Sequence, residues 1–324
     1  MRKLWSAGVL PGLLAGVLLL GACGDPGSGS GGAAPADAPE APPGAAAPRE
    51  PSPSSTTRQR AAEKPRSKAP EAPKAPEAPN APKVLYLGDS LAMENQDVLG
   101  AQLRDGLRAR YRSAPYSGTT LCDYLEGTGK DSLVPDKDKA AALVRAERPD
   151  YVVLQFWGNA WGYTPCMDGI TYDKQRAKYF DRYAADARRL AAQIDAAAGS
   201  GRTRVVWVLQ GPDAMTPDRV RRVNAVYRAQ AKASGGLVAD AGRTVSPASG
   251  RYTWVEKLPC TAYETRHPAY CTEPGSGRTA MHRGDDFLHF CLAPTTARSR
   301  PCPVRSPGIR RMTAEITRVV AAAS

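Results

Sequence analysis

Histidine is scarce in this chain: there are three among 324 residues, at positions 267, 282 and 289. A reaction that needs a base near neutral pH has only these three imidazoles to draw on. No set of cysteines combines with a histidine at zinc-site spacing, so no metal and no cofactor is expected. No basic run is interleaved with aromatic residues, which removes nucleic acid as an expected partner. Acidic residues are outnumbered, 32 against 44 basic, for a net charge of +12. Residues 1–82 hold nine basic and seven acidic side chains, so an excess of about +10 falls on the remainder. That excess reads as a solvated basic surface or as attraction to an anionic envelope polymer or membrane surface. Long apolar runs are also missing. The longest, from about Ala7 to Leu20, falls short of the roughly 20 residues that span a bilayer. Residues 24–82 have almost no large apolar side chain and cannot bury a core.

What the chain does have begins at its start. Arg2 and Lys3 precede the short apolar stretch, and Leu20-Gly21-Ala22-Cys23 follows it. This pattern resembles a bacterial lipobox. The expected division is a lipoprotein signal peptide (1–22), a lipidated Cys23 with a linker (23–82), and a folded domain (83–324). The expected location is extracytoplasmic, anchored to the outer face of the cell membrane through the lipid alone. Between Ala69 and Lys83 the linker repeats Ala-Pro-x, which favours extended polyproline II. At about 3.1 Å per residue such a tether reaches at most roughly 180 Å.

From residue 83 onward, apolar strand-like runs alternate with helical periodicity. Strands are expected at Val84–Leu87, weakly at Tyr111–Ala114, then at Tyr151–Phe156, Val205–Leu209 and Leu237–Ala239. Leu99, Leu103 and Leu107 mark one helical face, and Phe180, Tyr183, Ala187, Leu190 and Ile194 mark another. Further helices are expected over Lys139–Glu147, after Thr216-Pro217-Asp218 with the threonine as capping hydroxyl, and from Pro307 to about Ala322. Strands separated by helices imply an α/β fold, with a mostly parallel sheet covered on both faces. Such sheets place their sites at the C-terminal strand ends. Residues 241–306 read as loop-rich and disulfide-pinned.

The first strand ends in Gly88-Asp89-Ser90, with a helix after it. That layout delivers Ser90 to the edge of the sheet as a candidate nucleophile. A serine hydroxyl needs a base, and Asp285-Asp286-Phe287-Leu288-His289 supplies one. An aspartate three residues before a histidine on a turn can bond Nδ1–H and leave Nε2 facing the serine. Asp286 stands at that offset, with Asp285 the alternative. His282, with Asp285 three residues after it, is the second candidate base; His267 has no comparable carboxylate. Oxyanion donors are expected from the Ser90 N–H, from Tyr116-Ser117-Gly118-Thr119-Thr120 and from the Asn159 amide in Trp157-Gly158-Asn159-Ala160.

Gly88-Asp89-Ser90-Leu91, Gly118, Asn159 and Asp286-x-x-His289, in this order and spacing, resemble the SGNH (GDSL) hydrolase family over about residues 83–324. The resemblance implies a three-layer α/β/α flavodoxin-like sandwich with a five-stranded sheet, and ester chemistry. Ser90 would be nucleophile and first oxyanion donor, Gly118 and Asn159 the other donors, His289 the base and Asp286 its orienter. The third block departs from the family's usual Gly-x-Asn-Asp, with Trp157 and Ala160 at its ends. This leaves open whether a lipase-like pocket carries over. Trp157, Trp161 and Tyr163 read either as packing of a loop onto the domain or as a substrate platform for a sugar ring or acyl group, and the block looks closer to extracytoplasmic SGNH domains acting on O-acylated polysaccharides. The expected activity is that of a serine esterase acting on an O-acylated glycan or small ester, working as a monomer. The alternatives are an O-acyltransferase using the same residues and a catalytically silent binding lipoprotein.

Without Cys23 six cysteines remain: Cys122, Cys166, Cys260, Cys271, Cys291 and Cys302. An even number in an exported domain suggests three disulfides, and six cysteines allow 15 pairings. The favoured pairing is Cys122–Cys166, which would tie the two oxyanion loops together, with Cys260–Cys271 and Cys291–Cys302 as local clips.

Overall fold

A computed structural model describes residues 81–294 and 300–324. The expected signal peptide, Cys23 and the expected linker as far as residue 80 lie outside the described residues. Strand β1 (Lys83–Gly88) is buried along nearly its whole length. Val84 and Tyr86 face one layer of the core while Leu85 and Leu87 face the other. That two-sided burial explains the uninterrupted apolar run. The same division recurs in β3 (Tyr151–Gln155) and β4 (Arg204–Val208). With β2 (Arg110–Ser113) and β5 (Leu237–Ala239) these strands form one sheet in the order β2-β1-β3-β4-β5, parallel throughout.

Helices cover both faces. On one side lie α1 (Ser90–Leu107) and α7 (Pro307–Ala323), whose Leu91, Leu99, Leu103, Ile309, Met312 and Ile316 pack against Val84, Tyr86, Val153 and Val206. On the other lie α2 (Ala140–Glu147), α3 (Arg176–Ala198) and α4 (Pro217–Ser234). Leu143, Val144, Tyr183, Leu190 and Tyr227 from these helices meet Leu85, Leu87, Val152 and Trp207. This is the expected three-layer sandwich.

Two local expectations are corrected. The Thr216 hydroxyl does not cap α4. It donates to Asp213 Oδ2 at 2.6 Å, and Asp213 Oδ1 instead accepts the N–H groups of Met215 and Thr216. The hydroxyl oxygen in turn accepts from Arg219 Nε at 3.1 Å, so it is committed to side chains and not to the N–H groups of the first helical turn. The described residues of the 241–306 region also hold short regular elements where irregular chain was expected. They include α5 (Ala241–Thr244), α6 (Ala262–Arg266) and an antiparallel ribbon of β6 (Lys257–Pro259) with β7 (Arg278–Ala280). These elements are too short to show a periodicity in the sequence.

Cys122 is bonded to Cys166, Cys260 to Cys271 and Cys291 to Cys302. Among the described residues, Cys122, Asp123 and Cys166 are the group whose side chains gather as metal ligands would. Both of its sulfurs are committed to the disulfide, which removes them as thiolate ligands.

Candidate active site

The site is built where β1 meets α1. Gly88 has φ +157, and a Cβ there would lie 2.0 Å from Gln155 O and 2.6 Å from the Ala92 side chain. Only glycine lets the end of β1 pass so close to β3 and to the first turn of the helix. Asp89 then caps α1, its Oδ1 accepting the Leu91 N–H at 3.0 Å. Ser90 takes the first helical position, where its own N–H has no carbonyl four residues back in the helix.

The Ser90 hydroxyl lies 2.9 Å from His289 Nε2. His289 Nδ1 lies 3.0 and 3.2 Å from the two carboxylate oxygens of Asp286. Asp286 Oδ1 also accepts the N–H groups of Leu288 and His289, at 3.2 and 3.0 Å. One carboxylate thus shapes the turn and orients the ring. Sequence alone left Asp285 and His282 as alternatives, and the structure places both elsewhere. Asp285 is paired with Arg283 and its side chain is 76% exposed. His282 is buried between Trp254 and Phe290, and its Nδ1 donates to the His289 carbonyl at 3.0 Å. His267 is exposed and stacked on Tyr263.

The electrostatics favour a charged pair. Burial raises the Asp286 pKa, but the ring and main-chain hydrogen bonds from His289 outweigh it and hold the carboxyl well below its usual range. For His289 burial works against protonation, yet the Asp286 hydrogen bond and the charges of Glu94, Asp286 and Asp89 push it up to about 9. Asp89, fully buried, is pushed up to about 6 by desolvation against the hydrogen bonds it accepts from the Trp157 and Leu91 N–H groups. Its Oδ2 receives the Trp157 N–H at 2.7 Å and so ties the serine turn to the loop after β3.

The loops carrying Gly118 and Asn159 converge on the same strand end. Tyr116 N–H and the Thr119 hydroxyl both donate to Gly88 O. Gly118 sits between them at φ +76, and a Cβ there would come within 3.3 Å of the Tyr163 ring. Its N–H has no hydrogen-bond partner among the described residues. Asn159 is 6% exposed. Its Nδ2 donates to Thr119 O at 3.0 Å and to Asp89 Oδ2 at 3.2 Å, while its Oδ1 accepts from Trp161 Nε1 at 3.0 Å. Both amide hydrogens are therefore engaged, and lending one to a substrate oxygen means releasing the longer bond, to Asp89. The Cys122–Cys166 disulfide joins the segments that follow these two loops.

Of the two readings of the aromatic cluster, Trp157 follows the packing one. Trp157 is 3% exposed, covered by Trp161 at 6.1 Å between ring centres and by the Arg219 guanidinium 3.1 Å from its ring centre. Its large apolar surface is spent on packing, so it offers a substrate no face. Trp161 is half-buried and Tyr163 is 58% exposed. Arg219, which the sequence did not single out, pairs with buried Asp213 at 2.8 Å and donates to Gly158 O at 2.9 Å. Together with Tyr179, whose hydroxyl donates to the same carbonyl at 2.7 Å, it pins the Asn159 loop.

With this geometry in view, comparison with known proteins gives the following. A family model described as "SGNH domain (fused to AT3 domains)" matches residues 55–249, more than half of the chain. The match ends before Asp286 and His289. A search of curated proteins finds no match. Among solved structures, the chain is similar to the inhibitor-bound aryl esterase of M. smegmatis, with 16% identity, 75% of this chain and 99% of that chain covered, and a TM-score of 0.44. It is also similar to the periplasmic domain of a lipopolysaccharide acetyltransferase from Salmonella ser. Paratyphi A, with 11% identity, coverage of 76% and 85%, and a TM-score of 0.44. A third likeness is to a family 3 carbohydrate esterase of Clostridium thermocellum, with 11% identity, coverage of 75% and 96%, and a TM-score of 0.40.

Proposed function

The chain belongs to the SGNH domain family, and from that premise we propose that it is a serine esterase that cleaves carboxylic esters through an acyl-enzyme at Ser90. The observation that carries this reading is the unbroken line from Ser90 Oγ to His289 Nε2 at 2.9 Å, and from His289 Nδ1 to Asp286 at 3.0 Å. Ser90 Oγ attacks the ester carbonyl while His289 Nε2 takes its proton. Asp286 keeps the ring in the tautomer with Nδ1 protonated and stabilises the imidazolium that forms. The carbonyl oxygen, now negative, is met by the N–H groups of Ser90 and Gly118, with the Asn159 amide joining once it leaves Asp89. His289 returns the proton to the departing alcohol, then activates the water that frees the acyl group.

The substrate proposed is an O-acylated glycan or small ester outside the cytoplasm. Three disulfides support a site in an oxidising compartment. A second reading uses the same residues to pass the acyl group to a sugar hydroxyl instead of water. The exposure of Tyr163 beside Gly118 favours it, because a ring face at the oxyanion loop suits an acceptor with a flat apolar side.

The test is turnover of an activated short-chain ester. Ser90→Ala and His289→Ala are expected to abolish it while circular dichroism stays unchanged. Full activity in either variant contradicts the reading. A panel of acetyl, butyryl and longer esters with acetylated glycans defines the acyl preference. Acylated glycan among the products marks transfer, and free acid alone marks hydrolysis.

A further inference from the structure

Helix α1 carries more than the nucleophile. Glu94 follows Ser90 by four residues, one turn along the same face of the helix, and is only 5% exposed. Its Oε1 accepts the Phe290 N–H at 2.9 Å and its Oε2 accepts the Cys291 N–H at 3.1 Å. These are the two residues directly after His289. The Glu94 main-chain carbonyl accepts the Cys302 N–H at 3.2 Å, and Cys302 is bonded to Cys291. One residue of α1 therefore holds both halves of that disulfide. On the other side of the same peptide, His282 donates to the His289 carbonyl.

Among the described residues no lysine or arginine forms an ion pair with Glu94. Burying a carboxylate without a cation is costly. Desolvation pushes Glu94 up to about 7, opposed by the charge of His289 and by the two N–H groups it accepts. A neutral acceptor would satisfy those N–H groups with less desolvation. What the carboxylate adds is a negative charge beside the imidazole. The groups that face His289 are Asp286 on its own loop, Glu94 on α1 and Asp89 ahead of α1, with His282 behind its carbonyl; those that face Glu94 are His289, Asp286 and the Tyr86 hydroxyl of β1.

We infer that Glu94 is a positioning residue for the base: it fixes the main chain after His289 against the helix that presents Ser90, and its charge stabilises the imidazolium formed when Ser90 gives up its proton. The inference rests on the serine mechanism proposed above. The same helix turn thereby sets the distance between nucleophile and base from both ends.

The test measures kcat and KM against pH for an activated acetyl ester, using the full chain and its Glu94→Gln, Glu94→Asp and Ser90→Ala variants. Glu94→Gln is expected to lower kcat at least about tenfold while leaving KM within about threefold, as loss of an interaction made only in the transition state does. The pH midpoint of kcat/KM is expected to fall by about one unit, because the imidazolium loses a neighbouring charge. Glu94→Asp draws the charge back by one methylene and is expected to fall between wild type and Glu94→Gln in both rate and midpoint. A wild-type midpoint in either folded Glu94 variant overturns the inference, whatever happens to the rate, because a side chain that only packs leaves the midpoint in place. Ser90→Ala separates the two claims. Turnover surviving that change overturns the serine mechanism and this inference together. A silent Ser90→Ala variant with an unmoved Glu94→Gln midpoint overturns this inference alone.

Discussion

At the scale of single residues, the question is how His289 can be a base while surrounded by acids. With its pKa pushed up to about 9, the ring is mostly protonated at neutral pH, and the proton must leave before it can accept one from Ser90. Wild-type kcat/KM is therefore expected to rise with pH and level off only above about pH 9, read from initial rates on an activated ester. Stability runs the other way. The folded-state pKa lies above the unfolded value of about 6.5, so the His289 contribution is complete below that value and lost as pH rises through about 9. Asp286, held low, contributes above about pH 4 and loses its contribution as the medium turns more acid. Asp286→Asn is expected to reduce kcat about 10³- to 10⁴-fold with the fold intact, because the amide favours the wrong ring tautomer. Ser90, Asp286 and His289 were legible in the sequence because each lies in a short local pattern. Glu94 was not, since an acid on a helix ordinarily reads as part of a solvated face. Its signal was present nonetheless: it falls within the buried stripe of Leu91, Ala92, Asn95 and Leu99. The sequence left packing and a platform both open for Trp157, because its neighbours in sequence, Trp161 and Tyr163, are more exposed than it is. The residue that covers it, Arg219, comes from a distant helix.

At the scale of elements, the strands were legible wherever both faces are buried, as in Val84–Leu87 and Tyr151–Gln155. Even the weak β2 was found, although its pattern is only half-buried. The ribbon of β6 and β7 was not found: three residues per strand leave no period to read. The loops after β2 and β3 depend on a covalent tie. Cys122 and Cys166 are separated by 44 residues in sequence, and closing such a loop is worth up to about 4 kcal/mol through the unfolded chain. The Cys122→Ser, Cys166→Ser double variant is expected to lower the melting temperature by about 10 °C. Because this tie also fixes the Gly118 and Asn159 loops, kcat is expected to fall at least about tenfold at temperatures where the variant is still folded. Calorimetry and initial rates on the same sample check both. Unchanged kcat in the folded double variant means the loops are held by their hydrogen bonds to Gly88 O and Asp89 alone.

At the scale of the whole molecule, the triad stands at the C-terminal ends of the strands. The opposite ends form a groove lined by Lys83, Arg110, Arg148, Arg202 and Arg204, with Asp150 among them. Part of the excess basic charge thus sits at the end where residue 81 enters the fold, away from the site. We propose that the lipobox-like Leu20-Gly21-Ala22-Cys23 anchors the protein outside the cytoplasm through a lipid on Cys23. Cys23→Ser is expected to move it from the membrane fraction to the soluble fraction while leaving its kcat on a soluble ester unchanged. Retention in the membrane fraction contradicts anchoring by that cysteine. Everything else depends on Ser90 being an activated nucleophile, and this is tested most directly by treating the full chain with a fluorophosphonate and locating the adduct by peptide mass spectrometry. The account predicts one equivalent of label, on Ser90, formed at least about a hundredfold more slowly in His289→Ala. Absence of label, or label on another residue, would contradict it.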